Sequence, residues 1–225
     1  MDVTPGSIVV YSDVSCPWAH LSVARLHAAR RHLGLEDRVA FDHRAFPLEL
    51  HNRRPTPWRI LAAEIPVIGA LSPEAGWQMW QREPWEWPVT TLLALEAVQA
   101  AKEQGLHASD RLDRALRVAL FRDSRCVALR HVVLEIAAVT EGVDDAKLRE
   151  TLDDGRARRA VMDQFEASRS EQVLGSPHLF LPDGSEVHNP GVEMHWEGEH
   201  GSGFPVVDSD DPSIYERLLE SAAEA

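Results

Sequence analysis

Cysteine is scarce in this 225-residue sequence, and basic residues are few compared with acidic ones. Two cysteines cannot build a disulfide framework, and two alone do not complete a structural zinc site. The 23 lysines and arginines stand against 36 aspartates and glutamates, so the formal net charge is −13. Nucleic acids and anionic membranes are bound through clustered positive charge, and the sequence has no basic run. We therefore expect neither as a partner.

Long apolar stretches are also absent. No stretch approaches the roughly 18 apolar residues that a membrane-spanning helix needs. Residues 1–7 are polar and lack the apolar core of a secretory signal, so we expect a cytoplasmic protein with reduced thiols. Hydrophobic residues still make up 44% of the chain. That share is enough for a folded core, in one large domain or a domain with an insertion.

The first part of the chain has the pattern of a strand, a helix and a second strand. Residues 7–11 are a short apolar run that predicts a buried strand, and residues 39–43 are predicted to form the next strand. The helical pattern between them has Pro17 in its first turn and ends at Gly34, as is typical of helix termini. This arrangement predicts a βαβ unit with a right-handed crossover.

The last part of the chain returns to strands. Residues 178–181 and 186–188 flank an Asp183–Gly184 turn, which predicts a β-hairpin. A final helix is predicted after Pro212, and residues 189–205 are predicted to form a loop rich in glycine and histidine. The first part of this loop holds three histidines and three glutamates within residues 188–200. We weigh a divalent metal site there against a structured surface loop and favour the loop, because no established ligand spacing is present.

The middle of the chain is predicted to be helical. Apolar residues recur at helical spacing in five segments, over residues 90–104, 109–120, 127–140, 144–152 and 156–169. Before them, seven prolines divide residues 47–88, which predicts loops and short helices there. Trp77, Trp80, Trp85 and Trp87 fall in this segment. They either cap the core of the helical region or form the wall of a ligand cleft.

Cys16 is the residue best placed for chemistry. It follows the first strand and stands at the start of the first helix, where backbone amides and the helix dipole stabilise an anion. This position predicts a thiol with a lowered pKa, acting as a nucleophile, over the alternative of a small buried residue. His20 lies one turn further on and is expected either to stabilise a thiolate as an imidazolium ion or to face solvent.

A second signal precedes the third strand. Gly175, Ser176 and Pro177 stand directly before it, and a proline in this position suggests a cis peptide bond. Such a bond would leave the backbone of Ser176 free to pair with an extended ligand.

Together, the two signals and the element order resemble the DsbA-like thioredoxin-fold family, over essentially the whole chain. The resemblance extends to FrnE-like proteins, 2-hydroxychromene-2-carboxylate isomerase and kappa-class glutathione transferase. It is carried by Tyr11-Ser12-Asp13, Ser15-Cys16-Pro17-Trp18, Phe46-Pro47-Leu48 and Gly175-Ser176-Pro177.

The resemblance implies an α/β, thioredoxin-like fold with a large all-helical insertion. Residues 1–46 and 170–225 would form the thioredoxin-like domain, and residues 47–169 the inserted domain. It also implies that Cys16 is the nucleophile and that the proline at position 177 is cis. The residues expected to bind substrate are Pro17, Trp18, Asn52, Ser176 and Pro177.

The sequence departs from the family at Ala19, where FrnE-like and DsbA proteins have a second cysteine. A dithiol cycle needs that second sulfur. Three possibilities stay open: monothiol chemistry linked to glutathione, a resolving thiol at Cys126, or a protein that binds or isomerises without redox chemistry. Cys126 is otherwise a structural cysteine.

We therefore predict a DsbA/FrnE-like thiol-disulfide oxidoreductase that uses a single active-site cysteine. The first alternative is a glutathione-dependent isomerase or transferase acting on a hydrophobic aromatic substrate. The second is a redox-inactive thioredoxin-like binding protein. We expect no permanently bound cofactor or metal, with glutathione as a possible co-substrate. The expected partners are a thiol, a disulfide or a small electrophile, and a second copy of the chain.

Overall fold

A computed structural model describes residues 1–169 and 172–225 of the chain. The strands in these residues are β1 (Ser7–Ser12), β2 (Ala40–Ala45), β3 (His178–Phe180), β4 (Glu186–His188), β5 (Val192–Glu197) and β6 (Phe204–Asp210). The α-helices are α1 (Pro17–His32), α2 (Leu48–His51), α3 (Trp58–Leu71), α4 (Leu92–Lys102), α5 (Leu106–Phe121), α6 (Arg130–Val139), α7 (Asp145–Asp153), α8 (Arg156–Ser168) and α9 (Ile214–Glu224).

Four strands form a mixed sheet in the order β2-β1-β3-β4. Strand β1 runs parallel to β2 and antiparallel to β3, and β4 returns antiparallel to β3. The predicted βαβ unit and the predicted hairpin are both confirmed. They place the end of β1 and the start of β3 side by side, with Tyr11 opposite His178.

The sheet separates two apolar layers. Helices α1 and α9 cover one face, where Ile8 and Val10 of β1 pack with Leu26 and Leu219. On the other face, Val9 and Tyr11 pack in a smaller cluster. Because successive strand residues point to opposite faces, β1 contributes to both layers and is buried along its whole length.

Helices α2 to α8 lie between β2 and β3 in the chain and share the largest apolar core. That core also takes in Val14 and Ala45, which lie just after β1 and at the end of β2. The division into domains at residues 46/47 and 169/170 stays a prediction, and residue 170 lies outside the described residues.

Two details of the helical region correct the sequence-based expectations. Residues 58–71 form one helix of 14 residues despite Pro66, where short pieces were expected. Burial of Leu61, Ile65 and Ile68 on its inner face offsets the hydrogen bond that the proline removes. Helix α5 begins at Leu106, three residues before the predicted segment at 109–120, and the buried Ser109 hydroxyl inside it donates to the Val98 carbonyl.

The loop predicted over residues 189–205 is also corrected. Strands β5 and β6 pair antiparallel there and form a separate two-stranded hairpin. Along β5 the half-buried residues Val192, Met194 and Trp196 alternate with exposed polar ones. This period of two is the signature of a strand packed on one face, and the many charged and glycine residues mask it in the sequence.

Candidate active site

Cys16 lies where the sequence places it, directly before α1. Its backbone is extended, and Pro17 occupies the first helical turn. The Cys16 Sγ atom donates a hydrogen bond of 3.1 Å to the Ser176 carbonyl oxygen, and the Ser176–Pro177 peptide bond is cis. The fold therefore brings together the two segments that the sequence analysis singled out, although they are 160 residues apart in the chain.

The expected lowering of the Cys16 pKa is wrong. Burial raises the pKa of Cys16 to about 11, although hydrogen bonds with Ser176 and Ala19 act in the opposite direction. The side chain is only 5% exposed and packs in an apolar cluster with Leu21 and Ile68. A thiolate loses its hydration in such surroundings, and this loss outweighs the field of the helix N-terminus.

The β5–β6 hairpin covers this cluster. Val192, Met194 and Val207 are partly buried against the residues around Cys16. The hairpin therefore limits access of solvent and of any substrate to the sulfur atom.

His20 does not supply the positive charge that the sequence suggested. Burial lowers the pKa of His20 to about 3, and the charge of Arg117 lowers it further. Its ring stacks on Phe121 and contacts the edge of Trp77, with centroid distances of 4.9 and 4.5 Å. His20 is therefore a neutral core residue, neither an imidazolium ion beside Cys16 nor a solvent-facing side chain.

Trp18 binds a carboxyl group that the sequence analysis missed. Its indole Nε1 donates a 3.0 Å hydrogen bond to Glu64 of α3, which is buried. Burial raises the pKa of Glu64 to about 7, and the bond from Trp18 opposes that rise. When Glu64 is ionised, its charge raises the pKa of Cys16. One sequence signal could have indicated that Glu64 is buried. It lies four residues before Ile68 on α3, so the two side chains share the inward face of that helix.

Glu64→Gln is expected to lower the pKa of Cys16 because it removes a negative charge near the thiol. In a Cys126→Ser background, alkylation of Cys16 by iodoacetamide should then be about three- to tenfold faster at about pH 8.5. The gain should shrink below about pH 6, where Glu64 is itself protonated. Mass spectrometry of the Cys16 peptide measures the rate. Glu150→Gln, an exposed change on α7, serves as the control. If the Glu64 variant is alkylated at the wild-type rate at both pH values, Glu64 does not influence the pKa of Cys16.

Asp13 is a second residue that the sequence analysis quoted without assigning a role. It is fully buried at the end of β1. One carboxylate oxygen accepts from the Ser15 amide and hydroxyl at 2.8 and 2.9 Å. The other accepts from the Leu48 amide and the Thr91 hydroxyl at 2.9 and 3.0 Å, while the Asp13 amide donates to Ser176 Oγ. Asp13 thus ties the Cys16 loop to the inserted helices and to the segment before β3.

Arg117 supports this loop from α5. Its guanidinium group donates to the Asp13 carbonyl at 2.8 Å and to Ser12 Oγ at 2.7 Å. It also forms two hydrogen bonds with Asp113, one turn earlier, at 2.7 and 3.1 Å. Both side chains are almost completely buried, so each neutralises the other.

A second buried cluster adjoins the first. Asp110 accepts from His27, His43 and Arg30, each at 3.0 Å. Burial by itself would raise the pKa of Asp110, but the bonds from the two histidines hold it well below its usual range. His43 also lies 3.6 Å from Asp113 through its second ring nitrogen. A continuous polar network therefore runs under the site.

Within the described residues, the side chains of Cys126 and Asn52 make no hydrogen bond to Cys16, Asp13 or Ser176. Cys126 is half-buried and lines a cavity of about 420 Å³ together with Trp85 and Trp87, and Cys16 is not among the lining residues. Both cysteines are free. Asn52 ends α2 on the surface and makes no side-chain hydrogen bond within the described part of the chain. Its role in binding substrate stays a prediction.

The tryptophans divide between the two expected roles. Trp87 is part of the helical core, and Trp77 and Trp80 pack against it. Trp85 is 78% exposed and contributes only to the cavity beside Cys126. The cluster therefore both caps the core and lines a cavity.

The histidine-rich segment forms a local ion pair, in which His195 Nδ1 lies 2.9 Å from both carboxylate oxygens of Asp208. Among residues 1–169 and 172–225, no three histidine, cysteine or acidic side chains are grouped so as to hold a metal ion. Nor does any helix within those ranges combine the length and apolar character needed to cross a membrane.

The sheet order, the helical insertion and the cysteine at the start of α1 define a thioredoxin fold with an inserted helical region. The family model for a DSBA-like thioredoxin domain matches residues 7–197, and the chain belongs to this family. No curated protein matches the sequence.

Solved structures with the same fold differ widely in sequence. A probable DsbA oxidoreductase from Streptomyces coelicolor has a TM-score of 0.68 at 21% identity, with 96% of this chain and 89% of that one covered. The cytosolic disulfide reductase DsbM from Pseudomonas aeruginosa, solved with GSH, has a TM-score of 0.61 at 14% identity, with coverage of 97% and 100%. A 2-hydroxychromene-2-carboxylate isomerase has a TM-score of 0.58 at 15% identity, with coverage of 80% and 87%.

Proposed function

We propose that the protein is a monothiol thiol-disulfide oxidoreductase that uses Cys16, with glutathione as its co-substrate, in the cytoplasm. The observation that carries this proposal is the contact between the Cys16 thiol and the Ser176 carbonyl, with alanine at position 19. The likeness to a cytosolic disulfide reductase solved with GSH supports the choice of co-substrate and location.

The proposed reaction consists of two exchange steps. The Cys16 thiolate attacks the glutathione sulfur of a substrate–glutathione disulfide, forms a Cys16–glutathione disulfide and releases the substrate thiolate, which takes a proton from water. A second glutathione, as its thiolate, then attacks the glutathione sulfur of that adduct. Glutathione disulfide leaves and Cys16 is regenerated. Each step forms one S–S bond and breaks one, so the substrate is reduced while glutathione is oxidised.

The surroundings of Cys16 set the conditions for the first step. Because burial raises the pKa of Cys16 to about 11, the rate of attack should rise with pH throughout the neutral range. Because Met194 and its neighbours on the β5–β6 hairpin pack against the cluster around Cys16, the proposal requires them to move aside before a substrate can reach the sulfur. In this proposal Pro17, Trp18 and the Ser176–Pro177 segment border the bound disulfide, and Asn52 contacts the glutathione peptide.

The experiment that tests this proposal is glutathione-coupled reduction of a small mixed disulfide, measured with Cys16→Ser and Cys126→Ser variants. Cys16→Ser is expected to reduce turnover to the uncatalysed rate, and Cys126→Ser to keep at least about half of it. Full turnover in Cys16→Ser would contradict the proposal. Loss of turnover in Cys126→Ser as well would instead identify Cys126 as a resolving thiol.

A second candidate is a glutathione-dependent isomerase or transferase for a hydrophobic aromatic substrate. The raised pKa of Cys16 favours it, because a protonated thiol donates a hydrogen bond rather than attacking. In that case Cys16→Ser would keep its activity with such a substrate, since a hydroxyl also donates. Glutathione binding together with that retained activity would favour this candidate over the redox enzyme.

A further inference from the structure

A cavity lined by arginines lies between the last turn of α1 and the first turns of α5. Its volume is about 490 Å³, and Arg30, Arg31, Arg111 and Arg114 all contribute to its wall. Cys16 is not a lining residue. Four guanidinium groups at one cavity are unexpected in a protein with a net charge of −13, where carboxylates outnumber cations. Arg30 pairs with Asp110 and Arg111 with Glu141, so Arg31 and Arg114 are the arginines of the wall that are left for a ligand.

Two of these arginines have no counter-ion. In the described part of the chain, neither Arg31 nor Arg114 has a carboxylate within 4.0 Å or forms a side-chain hydrogen bond. Burial lowers the pKa of Arg114 and the charge of Arg31 lowers it further, while the charge of Asp110 offsets part of this effect. The two guanidinium groups therefore repel each other across the cavity. An anion bound between them would replace this repulsion with two charge-assisted hydrogen-bonding contacts.

The start of α5 faces the same cavity. This helix has 16 residues, and its N-cap is Gly105, so no side chain caps its first amides. His107 and Ala108 of the first turn line the cavity. Unpaired amides and the positive end of the helix dipole favour a bound anion.

A second feature of the cavity, separate from the helix terminus, is the buried guanidinium group of Arg30. Its side chain is only 8% exposed, and its terminal nitrogens bind Asp110 and the Val39 carbonyl. Its Nε atom is buried and has no hydrogen-bond partner in the described residues. Arg30 is thus fixed in the cavity wall by Asp110, which balances its charge, while its Nε–H stays unpaired.

Three carboxylates also line the cavity and limit what it can take. Asp110 is already bound by His27, His43 and Arg30, so it is neutralised within the wall. Glu36 and Asp37 are exposed and follow α1. Their negative charges oppose the binding of a long polyanion along this surface. The site therefore suits a compact anion of high charge.

We propose that this cavity binds a small molecule through a phosphate or diphosphate group held between Arg31 and Arg114, with the first turn of α5 as a further donor. The planar guanidinium group matches the geometry of phosphate oxygens. The cavity volume lies within the range of small-molecule sites, about 300–1,000 Å³. The site is independent of the function proposed for Cys16.

Isothermal titration calorimetry with inorganic phosphate, inorganic pyrophosphate and adenosine diphosphate, at matched ionic strength, tests this site. We expect pyrophosphate to bind with a dissociation constant below about 1 mM. Arg114→Gln and Arg31→Gln should each weaken binding by at least about tenfold. Arg59→Gln, at an exposed arginine of α3 outside the cavity, should leave the affinity for pyrophosphate unchanged.

The comparison of ligands identifies the type of anion. Tighter binding of adenosine diphosphate than of pyrophosphate would identify an esterified ligand, and equal binding would identify a free anion.

Two results would overturn the proposal. One is the absence of binding by the wild-type protein at about 10 mM pyrophosphate. The other is an equal loss in the Arg59 variant and the cavity variants, which would indicate only general attraction to positive charge. Circular dichroism checks that each variant is folded. Arg31 and Arg114 are both exposed, so both variants are expected to fold, and either one carries the test if the other does not.

Discussion

Ala19→Cys is expected to give the protein an intramolecular disulfide and to convert a one-thiol site into a two-thiol site. Treated with glutathione disulfide, the variant should release glutathione from Cys16 at least about 100-fold faster than the wild type does in the absence of added thiol. The reason is proximity, because a thiol held beside the mixed disulfide reacts without a diffusional encounter.

Residue 19 lies close enough to the Cys16 sulfur for this reaction. Hydrogen bonding from the Ala19 backbone acts on the Cys16 thiol, so residue 19 adjoins the sulfur. The two residues are three positions apart across the first turn of α1, where side chains meet on one face. Ala19 is fully buried, so the added sulfur atom is expected to cost about 1–3 kcal/mol of stability.

Ala19→Ser is the matched control, since it adds an atom at the same position without a second thiol. Mass spectrometry of the intact protein distinguishes the products. The Ala19→Cys variant should lose two hydrogen atoms and carry no glutathione, whereas Ala19→Ser and the wild type should keep the adduct. An adduct that persists equally in all three proteins would show that residue 19 does not reach the sulfur.

Arg117→Met is expected to reduce the free energy of unfolding by about 3–5 kcal/mol. The change leaves Asp113 buried without its cation and removes the two hydrogen bonds that hold Ser12 and the Asp13 carbonyl. A buried carboxylate without a counter-charge must either stay ionised at high cost or take up a proton. Urea unfolding followed by circular dichroism measures the loss.

Two comparison variants separate this effect from that of an ordinary surface ion pair. Arg149→Met breaks an exposed pair with Asp145 and should cost less than about 1 kcal/mol. The double variant Arg117→Met/Asp113→Leu removes both buried charges and should recover part of the stability lost in the single variant. A loss below about 1 kcal/mol in Arg117→Met would show that this pair does not stabilise the fold.

Local patterns were sufficient to predict the framework of the site. Residues 7–12 form a strand around the apolar run at residues 8–11, and Pro17 marks the start of α1 because a proline fits a first helical turn. The Asp183–Gly184 turn likewise predicts the β3–β4 hairpin from the sequence alone. These features depend on residues that are neighbours in the chain.

The properties of the site depend on residues that are far apart in the chain. The pKa of Cys16 is set by burial under α3 and the β5–β6 hairpin, so a prediction from the helix terminus alone has the wrong direction. His20 is neutral because Trp77 and Phe121 enclose it. Asp13 binds two residues of the inserted region, Leu48 and Thr91, and no local pattern shows that.

Intact-mass analysis after incubation with glutathione disulfide at about pH 8.5 tests the central claim, that Cys16 acts as a monothiol with glutathione. We expect one glutathionyl group to be added at Cys16 and removed again by reduced glutathione, in the wild type and in Cys126→Ser alike. A protein whose Cys16 stays unmodified, or whose only adduct maps to Cys126, would contradict it.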